Sequence, residues 1–175
     1  MTRSSGHTVL VVPIPELEAY VRARTLFYDA SFLSTDPAFV HSHLTLLGPW
    51  LSSPSPEDLA TVAAIAAGTP AFDYVLSQVA AFPDGLIHME AEDPAPFAAL
   101  TRALVEAFPQ CPPYGGAFPD PVPHVTLDRA ADGISVESVR ADLNGLLLAG
   151  GRAERVDLQW WANDDCRVLA SWELS

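Results

Sequence analysis

Two short segments of the chain carry the same residue types in the same order. Residues 43–46 read His-Leu-Thr-Leu and residues 124–127 read His-Val-Thr-Leu. Side chains two positions apart share one face of a strand, so each segment presents a histidine and a threonine together while the residue between them enters the core. This repetition predicts that the two segments serve one function.

Histidine and threonine together suit phosphate chemistry. An imidazole has a reference pKa of about 6.5, so one ring can hold a proton at neutral pH while a second ring lacks it. A threonine hydroxyl can donate a hydrogen bond to a phosphate oxygen without adding charge. We therefore predict that His43 and His124 are a general acid and base pair and that Thr45 and Thr126 bind the phosphate.

His41 lies two residues before His43 and supports a rival interpretation. If the two share a face, His41, His43 and His124 form a three-histidine zinc site. That interpretation leaves both threonines without a role, and no cysteine or carboxylate adjoins the segments at a typical ligand spacing. We therefore expect no metal and no cofactor, and we expect His7 and His88 to be surface or sheet residues.

Several aromatic residues lie on or next to loops, where a ring can stack on a base or close the core. They are Trp50, Phe82 and Tyr114. Trp160 and Trp161 are consecutive, so on a strand they point to opposite faces. One of them is expected to face a cleft, and the sequence does not decide which.

The elements that position these residues follow from hydrophobic periodicity and helix caps. Strands are predicted at 8–13, 41–47, 72–80, 86–91, 122–127, 155–161 and 167–174. Helices are predicted from Pro15 through Arg24 or Phe27, from the Ser55 cap to Gly68, from Pro96 to about Phe108, and from Ser135 through Leu148 to a stop at Gly150-Gly151. Residues 109–123 hold six prolines and two glycines, which predicts a long and functional loop that ends directly at His124.

Both halves of the chain run strand, helix and strand in similar order. This order predicts an α+β fold with two sheets facing a cleft, built as one domain over residues 1–175 with two intimately packed lobes that divide near residue 90. The chain has 175 residues and is 49% hydrophobic, which suffices for a real core.

The net charge of the chain restricts the kinds of molecule that it can bind. The formal net charge is −13, and all nine basic residues are arginines. Such a surface repels DNA, long RNA and anionic membranes, whereas a small nucleotide remains compatible if an arginine or neutral donors are close. Arg129, just after the second segment, is a candidate phosphate contact.

The remaining features predict a cytoplasmic monomer with free thiols. Cys111 and Cys166 have no second cysteine nearby, so we expect neither a disulfide nor a zinc knuckle. The apolar run at 9–12 is interrupted by Pro13 and Pro15, which argues against a signal peptide. No apolar stretch is long enough to cross a bilayer, and no coiled-coil pattern indicates an oligomer.

The two His-x-Thr segments resemble the signature of the 2H phosphoesterases, which include 2'-5' RNA ligases and cyclic phosphodiesterases. The resemblance extends to chain length, the separation of the segments and the order of elements. It implies a bilobal fold of two antiparallel sheets with duplicated lobes, and metal-independent opening of a 2',3'-cyclic phosphate to a 2'-phosphate on a nucleotide or a short RNA end.

By the same resemblance, His124 is the base that activates water, His43 is the acid that protonates the leaving 3'-oxygen, and Thr45 and Thr126 hold the phosphate. The reverse assignment of the two histidines stays open. The absence of lysine argues against RNA ligation and favours a small substrate. The competing hypothesis is a nucleotide-binding module that keeps the cleft without turnover.

Overall fold

The structure is a computed structural model that describes residues 5–118, 120–144 and 149–175. The strands in this part of the chain are β1 (His7–Pro13), β2 (His43–Leu47), β3 (Phe72–Ala81), β4 (Leu86–Ala91), β5 (His124–Arg129), β6 (Ala149–Ala153), β7 (Arg155–Trp161) and β8 (Arg167–Glu173). The helices are α1 (Glu18–Tyr28), α2 (Pro56–Ala67), α3 (Ala95–Ala107) and α4 (Val136–Asp142). Short 3₁₀ turns occur at Pro15–Leu17, Ala30–Phe32 and Pro113–Gly116.

The strands form one antiparallel sheet in the order β6, β3, β4, β5, β2, β1, β7, β8. Its two halves of four strands meet where Leu44 of β2 pairs with Val125 of β5. Each half contributes to this junction the strand that carries its His-x-Thr segment. The predicted α+β fold with duplicated halves is confirmed, and the two predicted sheets are joined edge to edge at the centre of the molecule.

The core holds this junction in place. Leu44 and Leu46 of β2 and Val125 of β5 are all but inaccessible to solvent, and Phe97 and Leu104 of α3 belong to the same buried cluster. Burying each large apolar side chain contributes about 1.5–3 kcal/mol. The apolar members of the two segments therefore anchor the polar members on the opposite face.

Helix α2 begins where the sequence predicts. The Ser55 side chain accepts a hydrogen bond from the backbone N–H of Asp58, and the Asp58 carboxylate accepts one from the backbone N–H of Ser55. This capping box satisfies two N–H groups at the helix start. The helix ends before Gly68, as predicted.

The predicted C-terminal end of the last helix is wrong. Helix α4 starts after Ser135 as expected but ends at Asp142, and the predicted continuation over 145–148 lies outside the described residues. Gly150 and Gly151 do not stop a helix, because they lie in β6 and pair with β3. A Cβ atom at position 151 would collide with Glu16 Oε1 and with the Tyr74 hydroxyl, so a larger residue would displace this hydrogen-bonded pair.

Two smaller expectations concern cysteine and membranes. Cys111 and Cys166 are free thiols, as predicted. Among the residues that the structure describes, no helix is long and apolar enough to cross a membrane.

Candidate active site

A cavity of about 920 Å³ opens at the junction of the two halves. His43 and Thr45 of β2 and Thr126 of β5 line it. His124 is not a lining residue, but its ring centroid lies 6.3 Å from that of Tyr114, which is one. The structure therefore places three of the four predicted site residues in the cavity wall and the fourth, His124, behind Tyr114 on the neighbouring strand.

The strand register explains why these side chains meet. Strands β2 and β5 are antiparallel and pair at Leu44 and Val125. Following that register by one residue either way sets His43 beside Thr126 and sets His124 beside Thr45. Each histidine is thus next to the threonine of the other segment.

Both histidines form a hydrogen bond to a backbone carbonyl through the same ring nitrogen, Nδ1. His43 Nδ1 lies 2.8 Å from the carbonyl oxygen of His41, and His124 Nδ1 lies 2.7 Å from that of Val122. A carbonyl only accepts hydrogen bonds, so each Nδ1 must carry the hydrogen and donate it. The neutral rings therefore have an unprotonated Nε2, which is the atom that can accept or return a proton.

Burial lowers the proton affinity of both rings. Desolvation, reinforced by the charge that His124 can carry, lowers the pKa of His43 to about 4. Desolvation also lowers the pKa of His124, and the nearby His88 adds to this effect while Glu90 opposes it. Both rings are therefore neutral at pH 7 in the protein without ligand.

The proline-rich loop brings Tyr114 to the site. Burial raises the pKa of the Tyr114 phenol, and the Thr45 side chain beside it opposes that rise; the Tyr114 ring lies nearly parallel to that of His124 at a centroid distance of 6.3 Å. The Tyr114 backbone N–H donates to the Gly48 carbonyl at 2.8 Å, and its φ of 52° is unusual for a residue with a Cβ. The loop is thus held in a strained conformation that places a phenol beside a candidate phosphate-binding hydroxyl.

Helix α1 forms one wall of the cavity and is held to β5 by a polar cluster. Arg24 Nε lies 2.7 Å from Asp128 Oδ2, and the Tyr28 hydroxyl donates to the other carboxylate oxygen, Asp128 Oδ1. Asp128 is 6% exposed. Sequence reasoning did not find Arg24 or Tyr28, because only the fold brings α1 to the second segment.

His41 is fixed by hydrogen bonds at both ring nitrogens. Its Nδ1 lies 2.7 Å from Glu18 Oε1, and its Nε2 accepts the backbone N–H of Ser34 at 3.0 Å. Both nitrogens are therefore engaged, which disfavours the three-histidine zinc interpretation with His43 and His124. Among the described residues, no group of three or more histidine, cysteine or acidic side chains is placed to hold a metal ion.

The aromatic candidates separate into core and site residues. Trp50 is buried and packs edge-on against Phe108, so it belongs to the core. Of the two consecutive tryptophans, Trp161 lines the cavity, with its ring centroid 5.7 Å from that of His43. Phe82 stacks on His88 at 3.7 Å.

The remaining sequence candidates also have defined positions. Arg129 lines the cavity and donates from Nη1 to the Asp84 carbonyl at 3.0 Å. His7 is exposed on β1 and lines the cavity, whereas His88 is buried in β4. The expectation that both are surface or sheet residues is confirmed, but it missed their proximity to the site.

The fold and the paired His-x-Thr segments define a protein of the 2H phosphoesterase class. A family described as the 2'-5' RNA ligase superfamily matches residues 13–165. The chain therefore belongs to the 2'-5' RNA ligase superfamily. No curated protein sequence matches it.

Solved structures share the fold at low sequence identity. The chain is similar to E. coli LigT complexed with 3'-AMP, with a TM-score of 0.58, 16% identity and coverage of 98% of this chain and 99% of that one. It is also similar to the TT0787 protein of Thermus thermophilus, with a TM-score of 0.60, 20% identity and coverage of 96% and 97%. A third similar structure, E. coli LigT complexed with ATP, has a TM-score of 0.56, 17% identity and coverage of 98% and 99%.

Proposed function

We propose that this protein hydrolyses a 2',3'-cyclic phosphate on a nucleotide or a short RNA end, without a metal, by paired histidine catalysis. The observation that carries the proposal is the mirrored arrangement of His43 and His124. Each ring donates Nδ1–H to a backbone carbonyl two residues earlier and keeps Nε2 for proton transfer. Two such nitrogens at one cavity suit a reaction that removes one proton and supplies another.

The reaction needs one proton transfer at each end of the displacement. One imidazole takes a proton from water while the water oxygen forms a bond to phosphorus, and the phosphorus–oxygen bond to the leaving ribose oxygen breaks. The second imidazole gives its proton to that oxygen. The products are a phosphate monoester and a free hydroxyl group. The family resemblance assigns the base to His124 and the acid to His43, whereas the burial that lowers the pKa of His43 to about 4 disfavours its protonated form in the free protein and leaves the reverse assignment open.

Neutral hydroxyl groups supply the phosphate contacts in this proposal. Thr45 and Thr126 line the cavity together with Tyr114. Hydroxyl groups aimed at the non-bridging oxygens stabilise charge in the transition state. A bound phosphate anion also raises the pKa of nearby imidazoles, so substrate favours the protonated acid that is scarce in the free protein at pH 7.

Relatives and charge support a small substrate. LigT has been crystallised with 3'-AMP and with ATP, which supports a nucleotide ligand for this chain too. The net charge of −13 disfavours a long polyanion, and Arg24 at the cavity is already paired with Asp128. A mononucleotide or a short RNA end is therefore the favoured substrate.

The test is hydrolysis of the four nucleoside 2',3'-cyclic monophosphates in EDTA, with the regiochemistry of the product determined. We expect turnover by the wild type, and His43→Ala or His124→Ala should each lower kcat by about 10²- to 10⁴-fold. Thr45→Val and Thr126→Val should weaken phosphate binding or turnover. Thr61→Val is the matched control, because the Thr61 hydroxyl bonds to Glu57 on the exposed helix α2.

Each result has a clear meaning once circular dichroism shows that the variants are folded. A histidine variant with near-normal kcat would refute paired histidine catalysis. Nucleotide binding by calorimetry without any hydrolysis would instead support the nucleotide-binding module. Loss of turnover on adding EDTA to the wild type would refute the metal-independent reaction.

A further inference from the structure

Strand β4 carries a polar pair next to His124. The register of β4 and β5 sets Glu90 opposite His124 and sets His88 opposite Thr126. His88 Nε2 lies 3.0 Å from Glu90 Oε1, and the His88 ring centroid lies 5.4 Å from that of His124. Glu90 is thus the direct and His88 the diagonal cross-strand neighbour of His124, and side chains at both positions can interact with it.

The His88 ring is closely held. It is 1% exposed and stacks on the Phe82 ring at 3.7 Å. Its Nδ1 lies 3.3 Å from the Leu86 carbonyl, while its Nε2 faces Glu90. Both ring nitrogens thus face oxygen acceptors, which fixes the orientation of the ring.

The other half of the duplicated fold lacks this pair on the neighbouring strand. There β1 pairs with β2, with Pro13 opposite His43 and Val11 opposite Thr45. The symmetry of the halves is therefore broken at these two strand positions, where a carboxylate and an imidazole replace apolar residues. Two equivalent histidines would share a single proton equally, so this difference biases the proton toward one of them.

The His41 ring near His43 is not equivalent to His88. His41 Nδ1 faces the Glu18 carboxylate, but its Nε2 accepts a backbone N–H. The Glu18 carboxylate comes from helix α1 rather than from the neighbouring strand, and it raises the pKa of His43 while the His41 ring lowers it.

We propose that His88 and Glu90 are positioning residues for His124, holding its ring and setting its proton affinity separately from that of His43. The proposal rests on the proposed function for its catalytic meaning. Through Glu90, the pair favours the imidazolium form of His124, and through His88 it opposes that form. The balance between them decides which histidine of the site holds the proton.

The groups that face His124 come from four parts of the chain. They are His88 and Glu90 on β4, His43 on β2, Tyr114 in the proline-rich loop, and Asp128 on β5 itself, which is paired with Arg24 of α1. His88 and Glu90 lie on β4, which pairs with β5 on the side away from β2 and His43. Single substitutions there therefore act on His124 more directly than on His43.

The two substitutions have opposite expected signs. Glu90→Gln removes a negative charge that stabilises the imidazolium, so the pKa of His124 should fall by about half a unit or more. His88→Gln removes a group that can carry positive charge, so the pKa of His124 should rise. In both variants the pKa of His43 should stay close to its wild-type value.

The experiment is an NMR titration of the imidazole Cε1–H resonances in the full-length labelled protein. Glu90→Gln is the informative variant because it preserves side-chain shape at a partly exposed position, and Glu90→Asp should restore much of the wild-type pKa of His124. Glu92→Gln is the matched control, since it removes the same charge at an exposed residue two positions further on. It should leave His124 unchanged.

The outcomes separate this inference from the proposed function. If His124 titrates alike in the wild type, Glu90→Gln and His88→Gln, or if Glu92→Gln shifts it equally, the inference is overturned. The NMR measurement does not need turnover, so opposite shifts in a protein that hydrolyses no cyclic phosphate would support the pair and refute the proposed reaction. If the protein does hydrolyse the substrate, the apparent pKa that the pH profile of kcat/KM assigns to His124 should shift in the same direction as the pKa measured by NMR.

Discussion

The Nδ1 atoms of His43 and His124 are both committed to backbone carbonyls, so the chemistry at residue scale depends on Nε2 and its proton. The two carbonyls are held in different ways. The segment that contains the His41 carbonyl is held by the Glu18 carboxylate, which is hydrogen-bonded to the His41 ring and to the backbone N–H of Ser42. The Val122 carbonyl lies between two prolines, whose fixed φ angles restrict the chain.

These pKa directions predict an acidic optimum. The productive free enzyme has one imidazole protonated and one neutral, a form that is most populated between the two pKa values. Because the pKa of His43 is lowered to about 4 and that of His124 is lowered below 6.5, kcat/KM should peak below pH 6.5. It should fall about tenfold for each further pH unit on the alkaline side.

Measuring kcat/KM for a cyclic mononucleotide from about pH 4 to about pH 9 at constant ionic strength tests this. A maximum at or above about pH 7 would show that the free rings are not desolvated as described. A titration of the free protein by NMR provides the control, because it reports the same pKa values without substrate.

At the scale of elements, helix α1 of the first half contacts strand β5 of the second. Its Arg24 and Tyr28 side chains meet Asp128 of β5, and the Arg24 guanidinium also lies 4.3 Å from the centroid of the Phe27 ring. This cluster holds one wall of the cavity at a fixed distance from the second His-x-Thr segment.

Asp128→Asn should therefore destabilise the fold. It leaves the Arg24 charge partly buried without its partner, and with the Arg24 side chain 25% exposed we expect a loss of about 2 kcal/mol, somewhat less than for a fully buried pair. Urea denaturation measures the change. The matched control is Asp73→Asn in the exposed pair with Arg152, which should cost less than about 1 kcal/mol. Equal losses in the two variants would contradict the role given to α1.

At the scale of the whole molecule, charge selects the substrate. The formal net charge is −13, and one of the two arginines at the cavity, Arg24, is already paired with a carboxylate. Repulsion between a protein and a polyanion weakens as salt screens it. Substrate length and ionic strength should therefore act together.

We expect kcat/KM for a long RNA ending in a 2',3'-cyclic phosphate to rise as salt increases from about 20 mM to about 200 mM. The value for a cyclic mononucleotide should change much less, which makes it the internal control. If kcat/KM for the long RNA instead falls as salt increases, the RNA must bind to a positively charged surface, because counterion release makes such binding weaker at high salt.

The sequence alone determined the parts of this protein that depend on neighbouring residues. Alternation along 43–46 and 124–127 identified the two site strands and their polar faces, and the Ser55 cap and Gly68 predicted the ends of α2. These features could be predicted because strand alternation and helix capping act over a few residues.

Only the tertiary structure decided which distant groups meet. His88 and Glu90 join the site through the pairing of β4 with β5, Arg24 joins it because α1 contacts β5, and Trp161 rather than Trp160 lines the cavity. Strand β6 was missed for the same reason. Its glycines disfavour a strand locally, but Gly151 leaves room for the Glu16 and Tyr74 side chains, and contacts between residues so far apart in sequence leave no local pattern.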